Sequence, residues 1–550
     1  MTTPSTATIA DHLAARAEDD APALLIDDRS WTWREFVHEC AVRAAVLREL
    51  RRPGPWHVGV LMDNEPEYLF LIGGAALAGA TIVGINPTRR GAEFIADVAR
   101  TDCQLVIVGA GHRDLVPDLG VDHLLAEGDE YTAAVAEHRP AALTDFTAYR
   151  GVNHLLLLLF TSGSTGAPKA VICSSRRLAA IGELNVRGLD HDDVAYNAMP
   201  LFHGNALMSA WAPILVYGGT FALRARFSAS GFLPDVQRFG ATFFNYVGRS
   251  LSYILAQPER PEEGQTQLRL GFGTEASATD RTEFTRRYRC QIIESYGSSE
   301  GVCVILRDDS TPPGALGIPR PEMGLDIVDD DGTPCPPAQF DDSGQMTNAA
   351  EAIGEIVARD GAARFEGYYN NPDATADKIR DGDYWSGDLA YRDADGVFWF
   401  AGRTSDWIRV DSENFATAPL ERIIMRFNGV RSVAAYPVAD PRTGDRVMAA
   451  IETDADGFDA DEFADFLAAQ PDLGTKWMPT LLRLTEALPH TATRKVDKPA
   501  LRRTAWFGDD PVYEFVGGRY RLLTDDRVRE LAVEFADHDR GHLLPPVPAI

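Results

Sequence analysis

Thr161-Ser162-Gly163-Ser164-Thr165-Gly166-Ala167-Pro168-Lys169 follows directly on an apolar run from Leu155 to Phe160. Four hydroxyls and two glycines occupy the first six positions of this stretch, and its lysine comes three residues after the second glycine. The apolar run is typical of a buried β-strand. A glycine-rich loop after a strand is suited to holding phosphate, because glycines let backbone N–H groups turn inward while hydroxyls and a lysine add donors and positive charge. We therefore predict a phosphate-binding loop here.

The spacing of this loop differs from the Walker A pattern, which has four residues between its first glycine and a Gly-Lys-Ser/Thr ending. In this chain two residues separate the glycines, and Ala-Pro precedes the lysine. A flexible glycine–serine surface segment is the alternative interpretation. The strand before the loop and the lysine at its end favour phosphate binding.

The composition of the chain is that of an ordinary globular protein. It has 550 residues, of which 45% are hydrophobic and 24% charged, so several domains and a large core are expected. The formal net charge is −28. Nucleic-acid binding and docking on anionic lipid both need a concentrated basic face, so we expect neither kind of partner.

Six scattered cysteines include no Cys-x-x-Cys pair, which disfavours a zinc site or a disulfide framework and suits a reducing cytoplasm. The N-terminus lacks the basic and apolar regions of a secretory signal, so we expect a cytoplasmic protein.

The uncharged stretch from Tyr68 to Ile85 approaches the length of a membrane span but contains four glycines. We predict a buried helix, a break near Gly79 and a strand from Thr81 to Ile85. A transmembrane span is the alternative.

Short apolar runs alternate with helical patterns along most of the chain, which predicts an α/β fold with largely parallel sheets. The predicted strands are His57–Met62, Thr81–Ile85, Gln104–Val108, Leu155–Phe160, Thr242–Val247 and Gln291–Glu294.

The pattern changes after Ala401, where a small α+β unit of about a hundred residues is predicted. Its elements are a tight hairpin over Trp407–Val410 and Asn414–Phe415, helices over Pro419–Arg426 and Asp461–Ala469, and strands over Val433–Val438 and Val447–Thr453. The tail after Thr504 has no strong pattern, so a docked arm and a partly disordered end are both open.

Further motifs carry chemistry only if they meet in space. Glu300, in Tyr296-Gly297-Ser298-Ser299-Glu300-Gly301, could hold Mg²⁺, which prefers oxygen ligands. The alternative for a glutamate after a turn is simple solvation. Asp388 ends the motif Tyr384-Trp385-Ser386-Gly387-Asp388 and is suited to accepting hydrogen bonds from ribose. Arg403 begins a charged turn, and Lys495 lies in a loop where plain surface charge is the alternative.

In this order and at these separations, the motifs resemble those of the adenylate-forming superfamily, over roughly residues 1 to 505. The superfamily includes acyl-CoA synthetases, luciferases and adenylation domains of peptide synthetases. Segments such as Pro200–Asn205, Asn245–Gly248 and Phe365–Tyr369 look most like bacterial fatty-acyl-CoA synthetases and the fatty-acid transport protein branch. The resemblance implies a large N-terminal multi-subdomain α/β domain over 1–403, a small mobile α+β domain over 404–505, and an extension over 506–550.

The resemblance also implies ATP and Mg²⁺ as reactants and a role for each matching residue. Glu300 would bind the metal, Lys495 would bridge the acid and the α-phosphate, and Asp388 and Arg403 would hold the ribose. The phosphate-binding positions would be Thr161, Ser162, Gly163, Ser164, Thr165, Gly166 and Lys169. Gly273, Thr274, Glu275 and Tyr296 would frame the adenine. Gly297 and Ser299 would be further nucleotide-binding positions, and Gly297 would also line the acid pocket. The substrate would be a small-molecule acid, with pocket residues Phe202, His203, Tyr246, Val247, Gly271 and Phe272.

Departures from the family pattern concern the acceptor of the activated group. His203 stands where peptide synthetases place an aspartate for the amino group, and no carrier protein is fused, so activation of an amino acid is disfavoured. His203 is then a gate or pocket wall, or a packed core histidine. Ser412 replaces a glycine that lines the pantetheine passage, Arg494 replaces the glycine before the lysine, and Ser405 replaces a charged hinge residue.

These departures leave two acceptors open. The first is CoA, which makes the protein an ATP-dependent acid:CoA ligase forming acyl-AMP with release of pyrophosphate. The second is a non-CoA acceptor of the secondary-metabolism type, for example in a diazotase that activates nitrite for an aromatic amine. A nucleotide-binding protein without catalysis is disfavoured by the joint presence of Lys169, Glu300, Asp388, Arg403 and Lys495.

Overall fold

A computed structural model describes most of the chain. The described residues are 6–88, 91–116, 120–161, 168–184, 188–247, 250–274, 276, 278–308, 310–312, 314–342, 346–403, 407–410, 413–442, 445–453, 458–470, 473, 476–491, 495–538 and 540–544. The chain divides into two compact units, one of residues 1–304 with 363–377 and one of residues 305–362 with 378–550. The predicted boundary at 403/404 falls inside the second unit and stays a prediction.

The first unit contains thirteen strands among its described residues. They are β1 (Pro22–Ile26), β2 (Arg29–Thr32), β3 (His57–Leu61), β4 (Thr81–Gly84), β5 (Cys103–Val108), β6 (His123–Leu125), β7 (Leu155–Thr161), β8 (Lys169–Ser174), β9 (Val194–Asn197), β10 (Thr220–Leu223), β11 (Phe243–Val247), β12 (Leu270–Thr274) and β13 (Gln291–Gly297). Strand β14 (Val304–Leu306) lies at the division between the units.

The helices of the first unit are α1 (Ile9–Ala15), α2 (Trp33–Glu49), α3 (Pro66–Ala78), α4 (Gly91–Arg100), α5 (Asp129–Glu137), α6 (Ser175–Glu183), α7 (Gly204–Ala206), α8 (Ala212–Tyr217), α9 (Ala229–Phe239), α10 (Ser250–Leu255), α11 (Ala278–Tyr288) and, from the later segment, α13 (Pro372–Ala376). A π-helical turn covers Leu207–Trp211, and 3₁₀ turns cover Ala110–Leu115, Leu143–Tyr149 and Pro261–Gln265.

Two mainly parallel sheets form the first unit. One has the strand order β6-β5-β3-β4-β7-β8, with only the β7–β8 pairing antiparallel. The other runs β13-β12-β11-β9-β10-β1-β2, with only β1–β2 antiparallel. Apolar runs such as β7 suit this arrangement, because strands in the middle of a parallel sheet are covered on both faces. The predicted α/β class and all six predicted strands are confirmed; five of the strands shift by one residue at an end, and the strand that starts at Gln291 ends three residues later than predicted, at Gly297.

The uncharged stretch from Tyr68 to Ile85 folds as predicted, into the buried helix α3 and the strand β4. The helix ends at Gly79, whose φ of +84° is the left-handed conformation that glycine adopts most readily. No helix among the described residues is long and apolar enough to cross a bilayer.

The second unit contains β15 (Leu325–Val328), β16 (Gly354–Ala358), β17 (Ile379–Arg380), β18 (Asp383–Arg392), β19 (Phe398–Arg403), β20 (Trp407–Val410), β21 (Glu413–Ala416), β22 (Ser432–Ala439), β23 (Asp445–Glu452), β24 (Leu481–Thr485), β25 (Val512–Val516) and β26 (Arg519–Leu522). Its helices are α12 (Ala349–Ala352), α14 (Thr417–Ile424), α15 (Ala460–Ala468), α16 (Lys498–Thr504) and α17 (Asp525–Asp537), with 3₁₀ turns at Pro321–Met323, Gly361–Arg364 and Gly541–Leu543. The predicted hairpin, strands and helices after Ala401 are confirmed.

A five-stranded sheet of order β22-β23-β24-β25-β26 organises the C-terminal part of this unit. Alternate residues of β23 enter different cores: Val447 and Ala449 pack with α14 and α15, whereas Met448 and Ala450 pack with α16 and α17. Strands β25 and β26 come from the tail, so its described residues form a docked part of the fold rather than a disordered end.

Candidate active site

The predicted phosphate loop leaves from the base of an antiparallel strand pair. Thr161 is the last residue of β7, Lys169 is the first residue of β8, and the two are directly paired in register. The ends of the loop are thus fixed by backbone hydrogen bonds. The residues between them that were predicted to bind phosphate lie outside the described residues: Ser162, Gly163, Ser164, Thr165 and Gly166.

A segment from far along the chain docks beside β8. The backbone N–H of Ile172 donates to the carbonyl of Gly367 at 3.1 Å, and that of Tyr369 donates to the carbonyl of Ala170 at 2.8 Å. Val171 and Tyr368 form an antiparallel bridge between them. Gly367 has a φ of +92°, a conformation that side chains other than glycine's rarely tolerate. The segment therefore extends the β7–β8 edge next to the loop.

Two charged side chains fasten this edge to the turn that carries Glu300. Glu366 accepts a hydrogen bond from the N–H of Ser174 at 2.7 Å and lies 3.8 Å from Arg177. Arg177 donates to the carbonyls of Ile172, at 2.7 Å, and of Ser299. The turn after β13 is thereby held against β8, although it belongs to the other sheet.

Tyr368 contacts both charged residues that the sequence singled out in this region. Its hydroxyl donates to Oε1 of Glu300 at 2.7 Å, and the Nζ of Lys169 lies 5.1 Å from the centroid of its ring. Burial raises the pKa of Tyr368, and the charge of Glu300 raises it further. The phenol therefore stays protonated and donates to the carboxylate. Tyr368 belongs to the family-like segment Phe365–Tyr369, but the sequence assigned its side chain no role.

The predicted adenine and acid positions gather at one edge of the second sheet. Strands β11, β12 and β13 are parallel neighbours, and Val247, Thr274 and Tyr296 lie at their carboxyl ends. Ligands of open α/β sheets bind at this edge. Of the other predicted positions, Gly297 is the last residue of β13 and Ser299 lies in the turn after it, whereas Glu275 lies outside the described residues.

Glycines in β12 make room for aromatic rings from the neighbouring strand. A Cβ on Gly271 would lie 2.5 Å from Phe244, and one on Gly273 would lie 2.7 Å from the ring of Tyr246. Any side chain at these two positions would displace the rings. Phe272, between them, is buried.

A buried glutamate supports the segment after β12. Glu294 accepts hydrogen bonds from the N–H of Ala276 at 2.7 Å and the hydroxyl of Tyr246 at 3.4 Å, and it pairs with Arg281 at 3.2 Å. Its backbone lies beside that of Gly273 on the neighbouring strand. Sequence reasoning took Glu294 only as the end of a strand and missed this role.

His203 lies in a turn that a buried asparagine holds in place. The side chain of Asn64 donates to the carbonyls of Met199 and Arg224, both at 3.0 Å, and accepts from the N–H of Leu201 at 2.9 Å. The rings of Phe202 and His203 lie 4.3 Å apart. Phe202 is buried while His203 is half-buried, which suits a wall residue better than a core histidine.

The turn with His203 also meets both sheets. A Cβ on Gly204 would lie 3.3 Å from Oγ of Ser299 and 3.7 Å from Leu159 of β7. Asn245 of β11 donates to the side chain of Asn205 at 2.7 Å. The turn with Phe202 and His203 thus lies beside β11, the strand that carries Tyr246 and Val247. The ring of Tyr246 itself packs in a core cluster with Phe244 and Phe284, so its predicted place in the pocket wall is not supported by its packing.

The predicted ribose residues are cross-strand partners in the second unit. Asp388 of β18 pairs in register with Arg403 of β19, whose side chain is not described. The N–H of Gly387 donates to Glu355 at 2.6 Å, and the N–H of Asp388 donates to Ser386 at 3.0 Å. These bonds fix the backbone on which the Asp388 carboxylate is mounted.

Lys495 lies in a short loop closed by backbone hydrogen bonds. The N–H of Thr491 donates to the carbonyl of Lys495 at 2.8 Å, and His490 and Val496 form a bridge. Lys498 nearby is engaged in structure, since it donates to Thr417 and pairs with Glu421 at 2.7 Å. Three predicted departures, Ser405, Ser412 and Arg494, lie outside the described residues.

The first unit offers a carboxylate ligand for Mg²⁺ and a positive charge for a nucleotide. Glu300 supplies a carboxylate, the kind of hard oxygen ligand that Mg²⁺ prefers, in a site where the residue is 9% exposed and one oxygen is already oriented by Tyr368. Lys169 supplies a positive charge at the ring face of the same tyrosine. The described residues therefore fit a metal–nucleotide complex.

Comparison with known proteins identifies the family of the chain. The AMP-binding enzyme family matches residues 11–369. Steroid-22-oyl-CoA synthetase of Rhodococcus jostii is 48% identical over 548 residues, covering 98% of this chain and 99% of that protein. Medium/long-chain-fatty-acid–CoA ligase FadD17 of Mycobacterium tuberculosis is 44% identical over 517 residues, covering 93% and 99%.

Among solved structures, ATP-bound MatB from Rhodopseudomonas palustris superposes with a TM-score of 0.77 at 24% identity, covering 90% of this chain and 98% of that one. At that identity the likeness establishes the fold alone. The family match spans more than half of this chain, and the curated relatives match nearly all of it. The chain therefore belongs to the AMP-binding enzyme family, the adenylate-forming superfamily.

Proposed function

We propose that this protein is an ATP- and Mg²⁺-dependent acid:CoA ligase that forms an acyl-AMP, releases pyrophosphate and passes the acyl group to CoA. The observation that carries the proposal is the 48% identity, along 98% of the chain, to a protein named as a steroid-22-oyl-CoA synthetase. The clustering of Lys169, Tyr368 and Glu300 in the first unit supports it.

The first half-reaction brings two anions together, since a carboxylate attacks the α-phosphorus of ATP. Positive charge must offset that repulsion and stabilise the transition state. In the proposed mechanism the Thr161–Lys169 loop holds the β- and γ-phosphates, which leave as pyrophosphate. Asp388 and Arg403 hold the ribose, and Tyr296 and Gly273 frame the adenine. Mg²⁺, held by Glu300, supplies further charge neutralisation when bound.

Lys495 provides the last positive charge in this proposal. It contacts the α-phosphate and the attacking carboxylate, so its ammonium group stabilises the transition state rather than the bound reactants. In the second half-reaction the CoA thiolate attacks the acyl carbonyl and AMP leaves. A serine, as at position 412, is small enough to be compatible with CoA.

We further propose that the substrate is a bulky apolar acid, either a steroid side-chain carboxylate or a medium- or long-chain fatty acid. The names of the two curated relatives support these classes. The predicted pocket positions Phe202, Val247 and Phe272 carry side chains that suit apolar substrates. His203 adds a polar edge to this wall.

The test measures pyrophosphate release and CoA thioester formation by the full-length protein across a panel of acids. The panel holds a steroid C22 acid, octanoate, palmitate, benzoate and, as a separate arm, nitrite with an arylamine. We expect thioester from the apolar acids and none when ATP or Mg²⁺ is omitted. Pyrophosphate release that needs nitrite and an arylamine, with no thioester from any acid, would replace the ligase proposal with the diazotase one.

A further inference from the structure

Two opposite charges contact the same side chain, that of Tyr368. Lys169 approaches the face of the ring, with Nζ 5.1 Å from its centroid, and Glu300 accepts the hydroxyl proton at 2.7 Å. Lys169 and Glu300, both among the described residues, make no direct ion pair with each other. An ammonium and a carboxylate attract each other, so two such groups held by one side chain are candidates for an ion pair. Here the ring of Tyr368 engages the ammonium and its hydroxyl engages the carboxylate.

The backbone around Tyr368 is fixed from both sides, so the side chain cannot easily give way. The N–H of Tyr368 donates to Oγ1 of Thr375 at 3.0 Å, and its backbone bridges Val171. Phe365 packs edge-on against its ring at 5.2 Å. Tyr368 is itself only 5% exposed. A rigid aromatic side chain in this setting can hold two partners at a constant separation.

We propose that Tyr368 is a positioning residue that keeps Lys169 and Glu300 apart and aims them at the phosphates and at the metal. Its ring face holds the ammonium group by a cation–π contact, and its hydroxyl orients the carboxylate. Without this spacer the two charges would neutralise each other in the nucleotide-free protein. ATP and Mg²⁺ would then have to break an ion pair before binding. This inference rests on the proposed function, because that proposal supplies the ligands of the two side chains.

The test separates the two contacts by substitution. Tyr368→Phe keeps the ring and removes the hydroxyl, whereas Tyr368→Leu removes both. Tyr369→Phe is the matched control, because the hydroxyl of Tyr369 also donates to a carboxylate, Asp102 at 2.8 Å, in a contact without Lys169 or Glu300. ATP binding to each full-length protein is measured by calorimetry without acid substrate, once with Mg²⁺ and once with EDTA. The ratio of the two affinities gives the gain due to metal.

For Tyr368→Phe we expect the increase in ATP affinity due to Mg²⁺ to be about tenfold smaller than for the wild type, as is usual when the partner of a metal ligand is removed. Its ATP affinity in EDTA should equal that of the wild type. Tyr368→Leu should also weaken binding in EDTA, because Lys169 loses its aromatic partner. Tyr369→Phe should match the wild type in both conditions. A Tyr368→Phe protein that keeps the full gain due to Mg²⁺ would refute the inference.

A double variant shows whether Tyr368 acts through Glu300. Glu300→Gln and Glu300→Gln/Tyr368→Phe should show the same residual gain due to Mg²⁺, because the hydroxyl has no carboxylate left to orient. A further loss in the double variant would contradict the positioning role. If Tyr368→Phe does not fold, Tyr368→Trp replaces it. The indole N–H of tryptophan does not take the place of the phenol hydroxyl, so we expect the same decrease in the affinity gain due to Mg²⁺. An affinity gain equal to that of the wild type would refute the inference.

The wild type separates failure of this inference from failure of the proposed function. If wild-type protein binds ATP without any gain from Mg²⁺, the assignment of Glu300 as metal ligand is wrong. If Mg²⁺ increases the ATP affinity of the wild type, and the increase is the same for Tyr368→Phe as for Tyr369→Phe, the proposed function stands and the role given to Tyr368 is wrong.

Discussion

Lys495 and Lys498 are two lysines of the same loop region with different surroundings. Lys498 is bound by Thr417 and Glu421, whereas Lys495 lies on the loop closed by the His490–Val496 bridge. We predict that Lys495→Ala lowers the rate of pyrophosphate release by about a hundredfold or more, because a charge that acts in the transition state is lost. Conversion of synthetic acyl-AMP to the CoA thioester should change little.

The control for this prediction is Lys498→Ala. It should lower the free energy of unfolding by about 1 to 2 kcal/mol through loss of charged hydrogen bonds. Pyrophosphate release per folded molecule should be unchanged. Both rates are measured by a coupled phosphate assay alongside thermal unfolding. If Lys495→Ala released pyrophosphate at the wild-type rate, Lys495 would have no part in the proposed mechanism.

Glu65, at the start of α3, is a carboxyl group whose charged form is disfavoured. Burial, and then the nearby Glu127, Asp63 and Glu67, raise its pKa to about 7. Because the pKa is higher in the folded than in the unfolded state, the folded state binds more protons between pH 4.5 and 7, and stability falls as the pH rises through this window.

Glu65→Gln removes this charge and should raise the unfolding temperature more at about pH 8 than at about pH 5, where the wild-type carboxyl is largely protonated. Unfolding followed by circular dichroism at the two pH values tests the difference. An equal change in unfolding temperature at the two pH values would show that the fold does not disfavour the ionised form of Glu65.

At the scale of elements, one glycine separates α3 from β4. Gly79 has a φ of +84°, and a Cβ there would lie 2.1 Å from the ring of Tyr149. Gly151 has a similar φ of +71° with open space around the position of a Cβ. Gly151→Ala should therefore cost about 1 kcal/mol from the left-handed conformation alone. Gly79→Ala should cost about 3 kcal/mol, since the steric conflict adds to that strain.

Urea unfolding of both variants measures the two costs. Equal destabilisation would show that Tyr149 moves aside without penalty and that only the backbone conformation matters at Gly79.

Elements with a local signal were predictable from sequence, and the tail shows where such a signal was overlooked. Val512–Val516 and Arg519–Leu522 pair across Gly517 and Gly518, both with positive φ. Two glycines between strand-like runs are the usual mark of a tight hairpin. The strands themselves are short and carry charges, which is why their hydropathy gave no clear pattern.

At the scale of the whole molecule, the six cysteines, all among the described residues, are buried as free thiols. Burial raises the pKa of Cys173 to about 11 and that of Cys290 to about 12. Because the thiolate is the reactive form, native protein should react with a thiol reagent at about pH 8 at least a hundredfold more slowly than urea-unfolded protein. Absorbance of the released thiolate follows both rates. Rapid reaction of even one thiol in the native protein would show that part of the core opens readily.

The sequence by itself determined the class of the fold, the approximate bounds of its strongest elements such as α3 and β4, and the family to which the chain belongs. These features are local: side-chain periodicity sets which face of an element is buried, and glycines such as Gly79 set where it stops. The order of the motifs from Thr161 to Lys495 was also visible without any structure.

Only the tertiary structure decided which of these residues meet within each unit. Tyr368 reaches Lys169 and Glu300 because residues 363–377 return to pair with β8, and Arg177 joins that strand to the turn carrying Glu300. Periodicity along one segment contains no information about which distant segment becomes its neighbour. That choice depends on sheet order and on packing between both sheets, which is why Tyr368, Glu294 and Asn64 emerged only from the fold.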